Sequence, residues 1–401
     1  MPHVDRGLLH SRAGRVVVGV TAVLVVGTAI GLAVMWPHGG SGDEIGKLLA
    51  PGRDEAQVTA VRHHKCVNTR FRDCRRVVVR LLTGQIAGNQ TYFDTGEDGF
   101  VPPVDVGDKV SVYRKRQTFE GGAPLGQPYT LGDPERRKPI LWLLVAFAAV
   151  AALLGRRRGV LALVGLGISL LVVFAFIVPA IIDGTAPVAV ALVGGVAVML
   201  ATTLVAHGIT AKSIAAVLGT MAALVLTCVL AVVFTSLADL TGFSSSQSGL
   251  LLYASHGTLS LKGLVLAGML IGALGVLDDV TVSQASAVMA LRRANPAQRV
   301  RDLYEGALTI GRDHVSAAVN TLVLAYVGSS LPILLVFGVS NVGLGAVLDR
   351  EDVAEEVVST LVGSIGLLAA VPITTALAVL LAVRLPSEAL GDEDAHEGHV
   401  H

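Results

Sequence analysis

Residues 139–182 read PILWLLVAFAAVAALLGRRRGVLALVGLGISLLVVFAFIVPAII. Two apolar runs, 139–154 and 160–182, flank Arg156, Arg157 and Arg158. A helix needs about 20 apolar residues to cross a hydrocarbon core of about 30 Å. The second run meets that length and the first approaches it. Three consecutive arginines are costly inside lipid, so they mark a short loop between two crossings. Short cytoplasmic loops collect Lys and Arg, which places this loop inside. A hairpin of this kind commits the chain to a membrane bundle.

The pattern continues toward the C-terminus. Apolar runs follow at 187–206, 213–237, 261–290, 314–338 and 356–383. Toward the N-terminus, residues 16–36 form one more, preceded by Arg6, Arg12 and Arg15. A secretory signal has an apolar region of about 7–15 residues and an A-x-A-like cleavage site. Here the run is longer and ends Met35-Trp36-Pro37, so the reading is an uncleaved anchor. That makes eight spans. Alternating them from an inside N-terminus puts Lys212, Arg292, Arg293, Arg299, Arg301, Arg312 and Arg384 inside with the first two arginine clusters. The short outside loops keep only Arg350 and, at a span edge, Lys262. The expectation is a bacterial inner-membrane protein with both termini cytoplasmic and residues 37–138 extracytoplasmic.

Composition agrees. Hydrophobic residues make up 52% and charged residues 15%, against about 25% charged in soluble proteins. The 45 glycines suit close helix packing in lipid. Net charge is zero, which gives no bias toward nucleic acid. Membrane lipid is the expected surrounding partner.

Residues 37–138 differ in character. Gly39 to Gly42 form a flexible leader. Short alternating runs at 56–61, 76–82, 91–93 and 109–113 are punctuated by Gly84, Gly88-Asn89, Gly96, Gly99 and Gly107-Asp108. Period-two runs between such turns predict a small antiparallel β unit, closed as a barrel. Residues 121–139, rich in Gly and Pro, read as a linker back to the membrane. Cys66 and Cys74 lie close together; they form a disulfide or stay as thiols, and metal binding with His63 and His64 ranks lower because the spacing fits no zinc pattern. Cys228, in an apolar run, reads as a small buried hydrophobe.

The expected organisation is therefore residues 1–36 as N-terminus and anchor, 37–138 as the outer β domain, 139–385 as a seven-helix block, and 386–401 as a disordered acidic, histidine-bearing tail. The fold class is an α-helical polytopic membrane protein with a small extracytoplasmic all-β domain.

Polar side chains inside spans are expensive and usually face the bundle interior or a pathway. The stretch 272–286 holds Asp278, Asp279, Thr281, Ser283, Gln284 and Ser286. At helical spacing Asp279, Ser283 and Ser286 share a face, which could hold a hard cation or relay a proton. If the span ends near residue 277, the two acids only solvate its cytoplasmic mouth. The second stretch is 311–332, with Arg312, Asp313, Ser316, Asn320, Thr321 and Tyr326, closing Gly328-Ser329-Ser330-Leu331-Pro332. Asp313, Ser316 and Asn320 share a face, and the closing motif predicts a bent or broken helix. Broken helices often line transporter sites, although proline is common in membrane helices generally. Asp183, His207, Asp239 and His256 read as interfacial, and Gly268-x-x-x-Gly272 as a packing motif. There is no P-loop, G-x-S-x-G, H-E-x-x-H or paired C-x-x-C, so neither enzyme activity nor a cofactor is expected.

The block 311–332, GRDHVSAAVNTLVLAYVGSSLP, resembles the signature of the YibE/F family of bacterial multi-spanning membrane proteins. The block 272–286, with Asp279 in the expected place, is similar to that family's other distinctive stretch; the second acid, Asp278, departs from its pattern. The resemblance implies an integral membrane protein of unassigned activity. It nominates Asp279, Gly311, Arg312, Asp313, Asn320, Thr321, Tyr326, Gly328, Ser329, Ser330 and Pro332 as motif positions. A secondary transporter or permease, using the polar residues of the sixth and seventh spans, ranks first. A non-transporting factor for envelope assembly, docking an extracytoplasmic protein through the β domain, ranks second. Catalysis on a lipid-linked substrate would rest on Asp279, Arg312 and Asp313 alone and ranks last.

Overall fold

The computed structural model describes residues 12–39, 53–66, 73–84, 86–96, 103–114, 119–120, 123–124, 129–255, 257–339 and 343–384. The acidic tail, Arg6 and His256 lie outside them. The chain forms two compact units, one from residues 41–154 and one from 1–40 with 155–401.

The first unit is built on a five-stranded antiparallel sheet. Its strands are β1 (Arg53–His64), β2 (Cys74–Leu81), β3 (Gln90–Thr95), β4 (Lys109–Arg114) and β7 (Tyr129–Pro134), in the order β3-β2-β1-β4-β7. Two short strands, β5 (Phe119–Glu120) and β6 (Ala123–Pro124), pair separately. Alternation sends Ala56, Val58, Val77, Val79, Leu81, Val110 and Val112 into one core with Phe93 and Tyr129. β1 is the central strand and carries a bulge between Val58 and Ala60.

The barrel expected from the strand pattern is not closed among the described residues: β3 and β7 are the two edges. The expected linker also needs correcting, because 129–134 is a strand. Gly132 lies against the Tyr113 ring and the Ser111 carbonyl, where a Cβ would collide. Pro134 closes the strand at the sheet edge, where a missing N–H costs no ladder bond. Gly and Pro therefore belong to the strand rather than interrupting it.

Cys66 and Cys74 are joined in a disulfide, with 5.2 Å between their Cα atoms. One β2–β3 cross-strand pair is ionic. Arg76 sits directly opposite Asp94, donates to both its oxygens at 2.7 and 2.8 Å, and stacks on Tyr92. That hydrogen-bonded pairing holds the Asp94 carboxyl below its usual range.

The helical elements are α1 (Arg12–Val34), α2 (Arg137–Val172), α3 (Val178–Ile182), α4 (Pro187–His207), α5 (Ala211–Leu237), α6 (Ser246–Ala254), α7 (Leu261–Ala294), α8 (Val300–Ser329), α9 (Leu331–Val339), α10 (Leu344–Leu348) and α11 (Glu351–Arg384). α2 begins in the β unit and is interrupted at Arg156, whose φ is 48°. That break divides two apolar stretches, 137–157 and 159–182. A single π turn, Val173–Ile177, precedes Pro179. Among the described residues six helical stretches are long and apolar enough to cross a membrane, and α8 with α9 makes a seventh if counted as one bent span. The apolar part of α1, Val18–Val34, is shorter than these. α1 packs on α4 where Gly31 meets Val193, and the chain just beyond its C-terminus is tied down by Asp183, which accepts from the His38 and Gly39 amides.

The centre of the helical unit is α5, α7 and α11, with α8 against α7 and α11. Glycines let these helices meet closely. A Cβ on Gly219 would strike Thr374, and one on Gly366 would strike Thr227. Small residues at such crossings are the usual means of helix association in lipid.

Candidate functional site

α7 carries the first polar stretch. Its 34 residues extend about 50 Å at 1.5 Å per residue, well beyond a 30 Å core. Asp278 and Asp279 therefore lie in the body of the helix and not at its end. The face turned inward is Leu277, Thr281, Gln284 and Val288, which is helical spacing.

Adjacent positions on a helix are about 100° apart, so the two acids diverge. Asp279 is exposed and Asp278 half-buried. One Asp278 oxygen lies 3.5 Å from the Thr202 hydroxyl of α4, and the other, buried, has no hydrogen-bond partner. Ser283 is also exposed. Its hydroxyl donates to the Asp279 and Val280 carbonyls, and that of Ser286 to Val282. These hydroxyls spend their protons on their own helix, as serines in membrane helices commonly do.

Thr281 and Thr220 of α5 share a hydroxyl contact of 2.5 Å in the core. Gln284 reaches between two helices: its amide donates to the Ala307 carbonyl of α8 at 2.8 Å and to the Thr375 hydroxyl of α11 at 2.7 Å. Gly311 makes room for it, since a Cβ there would sit 2.6 Å from the Gln284 oxygen and 2.5 Å from Val371. The motif glycine is thus a packing residue for a buried polar joint.

α8 starts well before the expected span. Leu303, Ala307, Gly311 and Val315 form its buried stripe, which is why a stretch with charged neighbours is helical. Arg312, Asp313, Asn320, Thr321 and Ser329 are exposed, while Tyr326 and Ser330 are half-buried. The axis turns by 64° between α8 and α9, with Ser330 at the junction and Pro332 in the first turn of α9. The bend expected from the Gly-Ser-Ser-Leu-Pro motif is present, and proline is tolerated at a helix start.

The structure does not bring Asp279 and Ser283 together with Asp313 and Asn320: among the described residues no hydrogen bond or ion pair links the two sets. Tyr326 has a different neighbourhood. Its hydroxyl accepts from Ser359 of α11 at 3.2 Å and stands close to Gly272, the second glycine of the packing motif. It borders a cavity of about 280 Å³ that also meets Ser244, Ser248, Glu355, Glu356 and Ser359. Nearby, Glu351 accepts from the Thr241 and Gly242 amides, and Glu355 from Ser244. A second cavity of about 490 Å³ lies between α8 and α11 and meets Arg312, Ser316 and Pro372.

Sequence reasoning passed over Thr202, Gln284 as a joint, and Glu356 with Ser359. Gln284 was visible as a rare amide in an apolar run; Thr202 carried no signal apart from its place in a span. No group of three or more His, Cys, Asp or Glu side chains suited to a metal occurs among the described residues.

The family described as YibE/F-like protein matches residues 143–384, more than half of the chain. The chain belongs to the YibE/F family. No curated protein and no solved structure matches it. The YibE/F match covers both polar blocks and every apolar helix except α1 and the start of α2. With the apolar helices, it makes this a multi-pass membrane protein.

Proposed function

We propose that the chain is a secondary transporter or permease of the bacterial inner membrane, coupled to protons or to a metal cation. The observation that carries this reading is Asp278: a carboxylate in the body of a long apolar helix, half-buried, with one oxygen near Thr202 and the other unpartnered. An intramembrane acid with no basic side chain paired to it among the described residues is suited to load and release a proton or a cation. The cavity at Tyr326, lined also by Glu355 and Glu356, gives a polar recess toward one end of the same helices. Asp279, Asp313, Asn320, Ser329 and Ser330 are the family positions of this pathway reading, with Ser283 on the same helix face as Asp279 and Tyr326 bordering the polar cavity. No covalent chemistry is proposed.

The orientation proposed is eight spans, namely α1, the two halves of the 137–182 run, α4, α5, α7, α8 with α9, and α11. Arginine distribution supports cytoplasmic termini, and a disulfide in the β unit suits the oxidising outer compartment.

The test is proton movement in sealed proteoliposomes loaded with a pH dye and challenged with Na⁺, K⁺, Mg²⁺, Mn²⁺ or Zn²⁺. Wild type is expected to shift internal pH with at least one cation. Asp278→Asn should abolish that shift, and Asp279→Asn should retain most of it. A well-folded Asp278→Asn variant that behaves as wild type would remove Asp278 from the mechanism.

A second reading, docking of an extracytoplasmic protein, is favoured by one observation: β3 and β7 are sheet edges among the described residues. Open edges accept an added strand. Photo-crosslinkers placed along β3 and β7 in cells would capture a partner under this reading and none under transport alone.

A further inference from the structure

Arg312 is a cation in an apolar setting. The cavity between α8 and α11 is walled by Leu308, Val315, Val319, Leu368 and Val371, with Pro372 at its side. Its polar groups are the Arg312 guanidinium and the Ser316 hydroxyl. Among the described residues no acid pairs with Arg312. Asp313 follows it but points about 100° round the helix and lines no part of this cavity. Leu368 is 55% exposed, so the groove opens on the outer surface of the bundle.

Depth along the helices decides what reaches that surface. Pro372 stands twelve residues before Arg384, about 18 Å along α11. α11 is about 50 Å long, and where a 30 Å core is centred on it about 10 Å of helix extends beyond the core at each end. Arg312, across from Pro372, then sits about 8 Å inside the core boundary, within the reach of a snorkelling guanidinium. A cation at that depth, facing lipid, is placed to meet an anionic headgroup at the interface.

We infer that the α8–α11 groove is a binding site for an anionic phospholipid of the cytoplasmic leaflet, whose phosphate is held by Arg312 and Ser316 and whose acyl chain lies along Leu308, Leu368 and Val371. The leaflet follows from the orientation proposed above; the binding itself does not depend on transport. Arg312 supplies the charge, and a guanidinium holds a phosphate through paired hydrogen bonds. Ser316, one turn further on, adds a hydroxyl donor.

The experiment is native mass spectrometry of the full chain in detergent, with phosphatidylglycerol and phosphatidylcholine of the same acyl chains. Wild type is expected to retain phosphatidylglycerol about tenfold better, and Arg312→Gln to lose that preference while keeping its melting temperature. Arg312→Lys should keep part of it. If Arg312→Gln fails to fold, Leu368→Trp, which fills the apolar wall and leaves the charge, should lower binding of phosphatidylglycerol. Glycerol 3-phosphate in excess should not displace the lipid; displacement by it would make the site one for a free phosphate. Equal retention of the two lipids by wild type, or an unchanged preference in Arg312→Gln, overturns the inference. A transporter without this preference would retain its Asp278-dependent proton flux, so the two proposals fail separately.

Discussion

Gly311 shows how much a single missing Cβ matters here. The Gln284 amide is buried among apolar side chains and spans from α7 to both α8 and α11. Leaving such a group unpaired costs about 1–3 kcal/mol. Gly311→Ala would push a methyl against the Gln284 oxygen and Val371, a crowded contact of the kind that costs about 1–3 kcal/mol. Gly328→Ala meets nothing within 4 Å and gains helix propensity, so it should be neutral or stabilising by up to about 1 kcal/mol. Thermal unfolding in detergent is expected to separate the two, with Gln284→Ala partly rescuing Gly311→Ala. Equal melting temperatures for both glycine variants would refute this role. The residue scale is also where the sequence was least legible. α7 is apolar on nearly every side, so periodicity alone did not decide whether Asp279 with Ser283 or Thr281 with Gln284 faces inward. Neighbouring helices decide that, through close approaches such as Thr220 to Thr281.

At the scale of elements, four strands were legible because their apolar residues alternate between clear turns. β7 was not, because Gly132 and Pro134 are turn residues by composition and edge-strand residues by position. The start of α8 was hidden in the same way: its buried stripe is narrow and its other positions are charged. The disulfide was left open by spacing alone and is settled by geometry, since β1 and β2 are paired and bring Cys66 and Cys74 together. It closes a loop with a sequence separation of 8, which by chain entropy stabilises the fold by about 2–3 kcal/mol. Replacing both cysteines by serine should therefore weaken amide-exchange protection in β1 and β2 and leave α5, α7 and α11 unchanged. Unaltered protection in β1 and β2 would mean that the pairing of β1 with its neighbours suffices without the crosslink.

At the scale of the whole molecule, the pattern of apolar runs was legible because length and hydropathy are strong signals in lipid. The proposed orientation rests on a different physical quantity, the asymmetry of Arg and Lys between short loops. Arg156, Arg157 and Arg158 sit at the break in α2, and α7 ends with Arg292 and Arg293 in its last turn. The β unit has no part in that vote, but its disulfide suits an oxidising surround. Both signals support the orientation proposed above. Single cysteines can check both at once. With Cys228→Ser as background, Asn89→Cys lies on an exposed turn of the β unit and Arg157→Cys at the α2 break. A membrane-impermeant maleimide applied to intact spheroplasts should label Asn89→Cys and leave Arg157→Cys untouched until the membrane is opened. The background chain, with Cys66 and Cys74 oxidised, should stay unlabelled until it is reduced. Labelling in the reverse order would invert the protein, and with it the leaflet assigned to the lipid at Arg312. Labelling of both positions before permeabilisation would mean that the first hairpin crosses the membrane an even number of times between them, which removes the 139–154 run as a span.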